Sequence, residues 1–208
     1  MTAVTRRAWL TAVSVAPFLG VRSAVAADGA PANGRVVLTG RDRIRMNHLP
    51  NVTLTTHTGQ QVRFYDDLVK DKKVIINFMY AQCDGICVPV TTNLKRVKTL
   101  LGDRVGREIF MYSITLKPAE DSWEDLRMYT EHHGVTGPGW LFLTGAPGDV
   151  DRLRRALGFS YADPVEDADI SNHIGMVRYG VEPLTRWAAC PGMGNPEHIA
   201  RSMLWDFE

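Results

Sequence analysis

The sequence predicts an α/β fold in which helices flank a central mixed sheet. Two long apolar stretches, 74–80 and 108–116, are typical of strands that are buried on both faces. Each is followed by a segment with helical features, so that strands alternate with helices, as they do in layered α/β domains. Two further strand-like stretches near the C-terminus predict an antiparallel edge on this sheet.

The composition is that of a globular domain, and it excludes several classes of protein. The chain has 208 residues, of which 45% are hydrophobic, and this is enough for one domain with a full core. Its three cysteines are too few for a scaffold held together by disulfides. A net charge of +1 gives no electrostatic basis for binding nucleic acid or an acidic membrane surface.

Residues 1–26 have the parts of a secretory signal. Arg6 and Arg7 precede a mildly apolar run at 8–21, and Ala26 ends a small-residue cleavage site, AVA. The run has 14 residues, whereas a helix that spans a membrane needs about 20, so the pattern favours export over a membrane span. The arginine pair resembles a twin-arginine signal, which predicts export to the periplasm.

Removal of this signal would leave a nearly neutral chain in an oxidising compartment. Cleavage would take away three arginines and no acidic residue, which changes the net charge from +1 to −2. We therefore expect three parts: a signal peptide at 1–26, a flexible segment at 27–45 and a folded domain at 46–208. The flexible segment begins with a stretch rich in Ala, Gly, Pro and Asn.

The first half of the domain predicts a β-hairpin and then two strand–helix units. Ser122 is a suitable N-cap, and Gly134 suits the end of the helix that Ser122 would begin. In chain order we expect a strand at 51–56, a turn at 57–60, a strand at 61–64, the strand 74–80, a helix that follows Pro89, the strand 108–116 and a helix from Ser122 to about His133.

The second half predicts one more strand–helix unit, a strand pair and a last helix. Asn195 followed by Pro196 is a favourable helix start, because Asn is a good N-cap and Pro suits the first helical position. In chain order we expect a strand at 140–143, a helix at about 149–157, strands at 174–179 and 184–187 joined by a turn at Gly180, and a helix that begins at Asn195.

The segment from Cys83 to Cys87 (CDGIC) lies between the strand 74–80 and the next helix. Ligands of open α/β sheets bind at such carboxyl ends of strands. A helix N-terminus also lowers the pKa of a nearby thiol. Three intervening residues allow the two sulfur atoms to form a disulfide when oxidised, to exchange disulfides, or to hold one metal ion. A purely structural disulfide is the alternative that spacing alone leaves open.

If the pair holds a metal, its chemistry favours copper. Thiolates select Cu(I), zinc or an iron–sulfur cluster, and an added imidazole suits copper in either oxidation state. Two sulfur ligands do not complete a tetrahedral zinc site, and the chain has no second cysteine pair. Copper held by two thiolates and one histidine is the most economical arrangement.

Six histidines are candidates for the third ligand. His132 and His133 end a predicted helix, where cations are favourable for electrostatic reasons alone. His173 differs, because it ends the polar loop 167–172 and immediately precedes a predicted strand. A loop histidine is by itself weak evidence for a metal ligand. The others are His48 near the hairpin, His57 in its turn and His198 in the first turn of the last helix.

Four segments together resemble the Sco/SenC family, thioredoxin-like copper-binding proteins that take part in assembling the copper centre of cytochrome c oxidase. They are VIINFMYAQCDGIC, SITLKPAED, GWLFLTG and NHIGMVRYG, within residues 49–179. The resemblance implies a thioredoxin-like fold and copper, as Cu(I) or Cu(II), held by Cys83, Cys87 and His173. Departures from the family's pattern occur at Asp84, Val88 and the segment 117–121.

Two functions follow from this resemblance and from the cysteine pair. The first is a periplasmic chaperone that delivers copper to a copper-accepting protein, such as a subunit of cytochrome c oxidase, or keeps the oxidase's copper site reduced. The alternative is a thiol–disulfide oxidoreductase in which Cys83 and Cys87 reduce a partner protein. The second function needs no distant imidazole, so His173 separates the two. A peroxide-consuming relative is a weaker third hypothesis, because no basic residue stands near Cys83 in the sequence.

The third cysteine and the methionines add little to the prediction of function from the sequence. Cys190 follows the last predicted strand, and an unpaired thiol in an exported protein is notable. We expect it to be a buried bystander, although an intermolecular disulfide or a place near the site are alternatives. The methionines are scattered along the chain rather than clustered, and we interpret most of them as core residues.

Overall fold

The computed structural model describes residues 38–83 and 85–207, apart from the side chains of 205–207. The predicted signal at 1–26 lies outside the described residues, as do the first part of the predicted flexible segment and Asp84. Within the described ranges, no helix has the length and apolar character needed to cross a membrane.

Seven strands and six α-helices make up the described chain. The strands are β1 (Thr53–Thr56), β2 (Gln61–Arg63), β3 (Lys73–Met79), β4 (Ile109–Thr115), β5 (Trp140–Gly145), β6 (Met176–Val181) and β7 (Arg186–Pro191). The helices are α1 (Gly40–His48), α2 (Cys87–Leu101), α3 (Trp123–His132), α4 (Pro147–Ala156), α5 (Pro164–Ala168) and α6 (Pro196–Phe207).

The strands form one mixed sheet in the order β2-β1-β5-β4-β3-β6-β7. The three central strands β3, β4 and β5 are parallel to one another, because α2 returns the chain from β3 to β4 and α3 returns it from β4 to β5. The hairpin β1–β2 and the pair β6–β7 flank this centre with antiparallel pairing. The predicted mixed sheet with an N-terminal β-hairpin is confirmed.

Alternate residues of β3 belong to two hydrophobic cores, one on each face of the sheet. Ile75 and Met79 pack on the face that α2, α3 and α6 cover, and both cysteines belong to this core. The opposite side chains of β3 pack with the N-terminal hairpin and α4. The cysteine segment is therefore supported by the first core.

Asn77, the one polar residue of the buried part of β3, is satisfied by its neighbours in the sheet. The Ser113 hydroxyl donates to Asn77 Oδ1 at 2.7 Å, and the Trp140 indole N–H donates to Ser113 Oγ at 2.9 Å. This chain of hydrogen bonds crosses the three parallel strands, and it removes the cost of an unpaired buried amide oxygen.

Helix α1 was not predicted from the sequence, and its first residues fall in the predicted flexible segment. Thr39 and Asp42 form a capping box, in which the Thr39 hydroxyl accepts from the Asp42 backbone N–H and the Asp42 carboxylate accepts from that of Thr39. The predicted boundary between residues 45 and 46 falls inside this helix.

Two predictions about the C-terminal strands were wrong. Gly180 is not a turn residue but lies inside β6, opposite Trp187, whose ring would be 2.5 Å from a Cβ at position 180. The glycine is needed for this cross-strand packing, and the turn follows at Glu182–Leu184. Cys190 lies within β7 and pairs with Val177 rather than following the strand.

Candidate functional site

The two cysteines lie at the carboxyl end of β3, as predicted. Cys83 follows the strand after a short loop, and Cys87 is the first residue of α2. Both are free thiols in this structure, with 9% of Cys83 and 2% of Cys87 exposed. The helix begins at Cys87, two residues before Pro89, so the second thiol is part of the first helical turn.

The surroundings of the two thiols shift their pKa values in opposite directions. Burial alone would raise the pKa of Cys83, but hydrogen bonds from the Cys87 thiol, the backbone N–H groups of Cys87 and Gly85, and the Tyr80 hydroxyl outweigh it, so that the pKa is lowered. Burial, followed by the interaction with Cys83, raises the pKa of Cys87 to about 12. These shifts favour Cys83 as the more readily ionised thiol of the pair.

This asymmetry predicts selective alkylation. With iodoacetamide, we expect Cys83 to react at least about ten times faster than Cys87, because it is both more ionised and more exposed. The alkylation rate at Cys83 should rise with pH and then level off. The midpoint of this rise should lie below 9.0, the ordinary pKa of a cysteine thiol. Peptide mass spectrometry after timed quenching measures both rates. Faster modification of Cys87 would contradict this assignment of roles.

Asp121 holds the segment that leads into Cys83. Its carboxylate is 2% exposed and accepts from the backbone N–H of Ala81 at 2.9 Å and from the Thr115 hydroxyl. Asp121 was not predicted as a site residue from the sequence, although it follows β4, the strand parallel to β3. Side chains at the carboxyl ends of neighbouring parallel strands meet at one edge of the sheet.

His173 lies at the end of a short 3₁₀ turn, Ile170–His173, and is 2% exposed. Its Nε2 is 2.9 Å from the carbonyl oxygen of Asp167, and Arg154 Nη1 lies 3.2 Å from Nδ1 and 3.0 Å from Nε2. Both ring nitrogens therefore have a partner in the protein, at the positions through which a metal would bind.

Arg154 and Asp167 form a buried ion pair around His173. Arg154 Nη1 lies 2.7 Å from one oxygen of Asp167, and Nη2 lies 3.0 Å from the other, a two-point contact. Hydrogen bonds from Arg154 and from the backbone N–H of Tyr161 lower the pKa of Asp167 well below its usual range. This pair, whose members belong to different helices, was not predicted from the sequence.

The structure brings the cysteine segment and the segment after His173 into contact. Gly175 has a φ of +94°, and a Cβ there would be 2.5 Å from Cδ1 of Ile86, which lies between the cysteines. Ile174 packs in the same core as Cys83 and Cys87. Even so, no three His, Cys, Asp or Glu side chains of the described chain are grouped closely enough to hold a metal. The three-ligand site remains a prediction.

The other histidines have separate surroundings. His57 Nδ1 accepts from the backbone N–H of Phe142, so it has a structural role in the hairpin turn. His132 and His133 end α3 and its cap. His48 ends α1, and His198 lies in the first turn of α6.

The sheet, the covering helices and the dithiol at the end of β3 define a thioredoxin-like protein. The chain belongs to the SCO1/SenC family, whose sequence model matches residues 41–179.

Individual relatives are distant. A Stutzerimonas stutzeri protein named for copper binding is 25% identical over 131 residues, which are 63% of this chain and 60% of that protein. A SCO1/SenC family lipoprotein from Bacillus anthracis has a TM-score of 0.61 at 19% identity, over 76% of this chain and 93% of its own. Yeast Sco1 with copper bound has a TM-score of 0.57 at 19% identity, over 74% and 87%. These structural likenesses establish the shared fold.

Proposed function

We propose that this protein is a copper chaperone that carries one copper ion between Cys83, Cys87 and His173. The observation that best supports this proposal is the pair of free, nearly buried thiols where β3 ends and α2 begins, beside the segment that contains His173. Thiolate ligands select copper in its soft Cu(I) state, and an imidazole extends the site to Cu(II). The copper-binding name of a relative and the copper-bound yeast structure support the choice of cargo.

Loading would require His173 to exchange partners. Arg154 contacts both ring nitrogens, and Nε2 also contacts the carbonyl of Asp167. A ring nitrogen must give up its present partner before it can bind copper, because a nitrogen lone pair serves one acceptor role at a time. Because His173 would regain its protein partners when copper leaves, this exchange would weaken copper binding and favour release of copper to an acceptor.

A second function, reduction of a partner's disulfide, is favoured by the opposite pKa shifts of the two thiols. The Cys83 thiolate would attack one sulfur of the partner, forming a mixed disulfide and releasing the other partner sulfur as a thiolate. Cys87, after losing its proton, would attack Cys83 and release the partner's second thiolate. Two electrons pass to the partner, and a Cys83–Cys87 disulfide remains.

We also propose that the protein acts in the periplasm and that its acceptor is a respiratory oxidase subunit or a related copper enzyme. The support for export is the signal-like sequence of residues 1–26, with its arginine pair and small-residue cleavage site. The support for the acceptor is membership in the SCO1/SenC family.

Copper loading tests the main proposal. We expect the reduced protein to bind one Cu(II) per chain with sulfur-to-copper charge-transfer absorption. The double variant Cys83→Ser/Cys87→Ser should lose that absorption completely, because both thiolate ligands are removed. Cys190→Ser is the matched control and should keep it, since Cys190 lies in β7. Charge-transfer absorption that persists in the double variant and disappears in the control would overturn the proposal.

A further inference from the structure

A cavity of about 310 Å³ lies beside the cysteine segment, between that segment and the C-terminal half of α3. Ala81 and Gln82, which directly precede Cys83, line one side of it. Met128, His132 and His133 line the other. The cavity thus combines a thioether and two imidazoles next to the segment that carries the thiols.

The interpretation of most methionines as core residues was wrong for the described chain, since four of its seven methionines are exposed. Met128 is one of them. Its side chain is 54% exposed, although methionine is usually buried. His132 follows four residues later in the same helix, a spacing that puts two side chains on one face with Cβ atoms about 5–6 Å apart. Two histidines at this spacing bind zinc in other proteins, so one metal ion can bridge such a pair. The His132 and His133 rings have centroids 4.8 Å apart.

His133 is oriented by its packing against a neighbouring ring. Its ring packs on Tyr129 with centroids 4.3 Å apart. Burial, and then the proximity of His132 and Lys95, lower the pKa of His133 and so favour its neutral form. The helix dipole would favour the cationic form at this end of α3.

The available ligands select the metal. Asp125 also lines the cavity, but its carboxylate accepts from the Ser122 backbone N–H and hydroxyl in the capping box of α3. That leaves a thioether and two imidazoles, a soft set that suits Cu(I) and is poor for calcium or magnesium.

We propose that Met128, His132 and His133 form a second, weaker Cu(I) site that receives the ion before it reaches Cys83 and Cys87. The proposal rests on the copper-carrying function above. Transfer is a ligand exchange in which Cu(I) leaves the thioether and imidazoles for the thiolates, with no change of oxidation state. Thiolates bind Cu(I) more strongly than these neutral ligands, so the exchange is favourable toward the cysteines.

Silver(I), which has the charge of Cu(I) and does not change oxidation state, is the probe. In a chain with all three cysteines replaced by serine, we expect one Ag(I) to bind and to shift the NMR signals of the Met128 methyl group and the His132 ring. Adding Met128→Leu and His132→Gln should weaken this binding at least about tenfold. Met193→Leu with His198→Gln is the matched control, because Met193 is 55% exposed and His198 is exposed.

The parent protein gives a second measurement if the cysteine-free chain does not fold. There the first equivalent of Ag(I) should bind the thiols, and the second should shift Met128 and His132. Unshifted Met128 and His132 signals, or equal weakening in the control, would overturn the second site. Failure of the first equivalent to bind the thiols would instead count against the chaperone proposal, so the two failures are distinguishable.

Discussion

His173→Ala should weaken Cu(II) binding by about 100-fold or more and leave thiol–disulfide chemistry intact. Changes to groups that only support a metal ligand typically reduce metal affinity by 10- to 100-fold, so loss of the ligand itself should reach at least that range. Cu(I) binding should fall less, because two thiolates satisfy that soft ion. Competition titrations with chelators of known affinity measure both constants.

The comparison with disulfide exchange separates chaperone from reductase. His173→Ala should still reduce a model disulfide at the parent rate, because that reaction needs only the two thiols. His198→Ala is the matched control, since His198 is exposed in the first turn of α6. If His173→Ala keeps both the Cu(II) and the Cu(I) affinity of the parent, the assignment of His173 as a ligand fails and the reductase function becomes the better proposal.

Arg154→Met should lower the free energy of unfolding by about 3 kcal/mol, since breaking a buried ion pair leaves a charge without its partner. The side chains of Arg154 and Asp167 are 6% and 7% exposed. Asp167 keeps a contact with Arg155, which places the expected loss at the lower end of the range for such pairs. Denaturant titration followed by circular dichroism measures the difference.

Arg155→Met is the control for this result. Arg155 also contacts Asp167, at 2.9 Å, but its side chain is 55% exposed, so its removal should cost less than about 1 kcal/mol. The pH dependence provides a second check. Because the ion pair lowers the pKa of Asp167, its stabilisation is present above the ordinary value of 3.8 and is lost as the pH falls toward the folded-state value. Equal losses in the two variants would contradict the special role of Arg154.

Local patterns were sufficient to predict the parts of the fold that lie near the cysteines. The apolar runs of β3 and β4 identify buried strands, and Ser122 does cap α3. The position of Cys83 and Cys87 at a strand–helix junction follows from the same reading. These features depend on residues close together in the sequence, where periodicity and capping preferences are informative.

The surroundings of His173 could not be predicted in this way. Arg154 and Asp167 are 13 residues apart and meet only after α4 and α5 pack together. The prediction at Gly180 failed for the opposite reason. The sequence did contain a local signal there, the glycine itself, but this glycine does not mark a turn. A glycine near a strand end usually indicates a turn, whereas here it makes room for the ring of Trp187 across the strand pair.

The close approach of Gly175 to Ile86 has a consequence for redesigning this protein. A methyl group at position 175 would collide with Ile86, and the positive φ excludes most other residues there as well. Bulk added at either position would displace a segment that carries a proposed ligand. An engineer who wishes to alter the metal preference should therefore treat positions 86 and 175 as one unit, and should vary the exposed positions around the cavity beside α3 first.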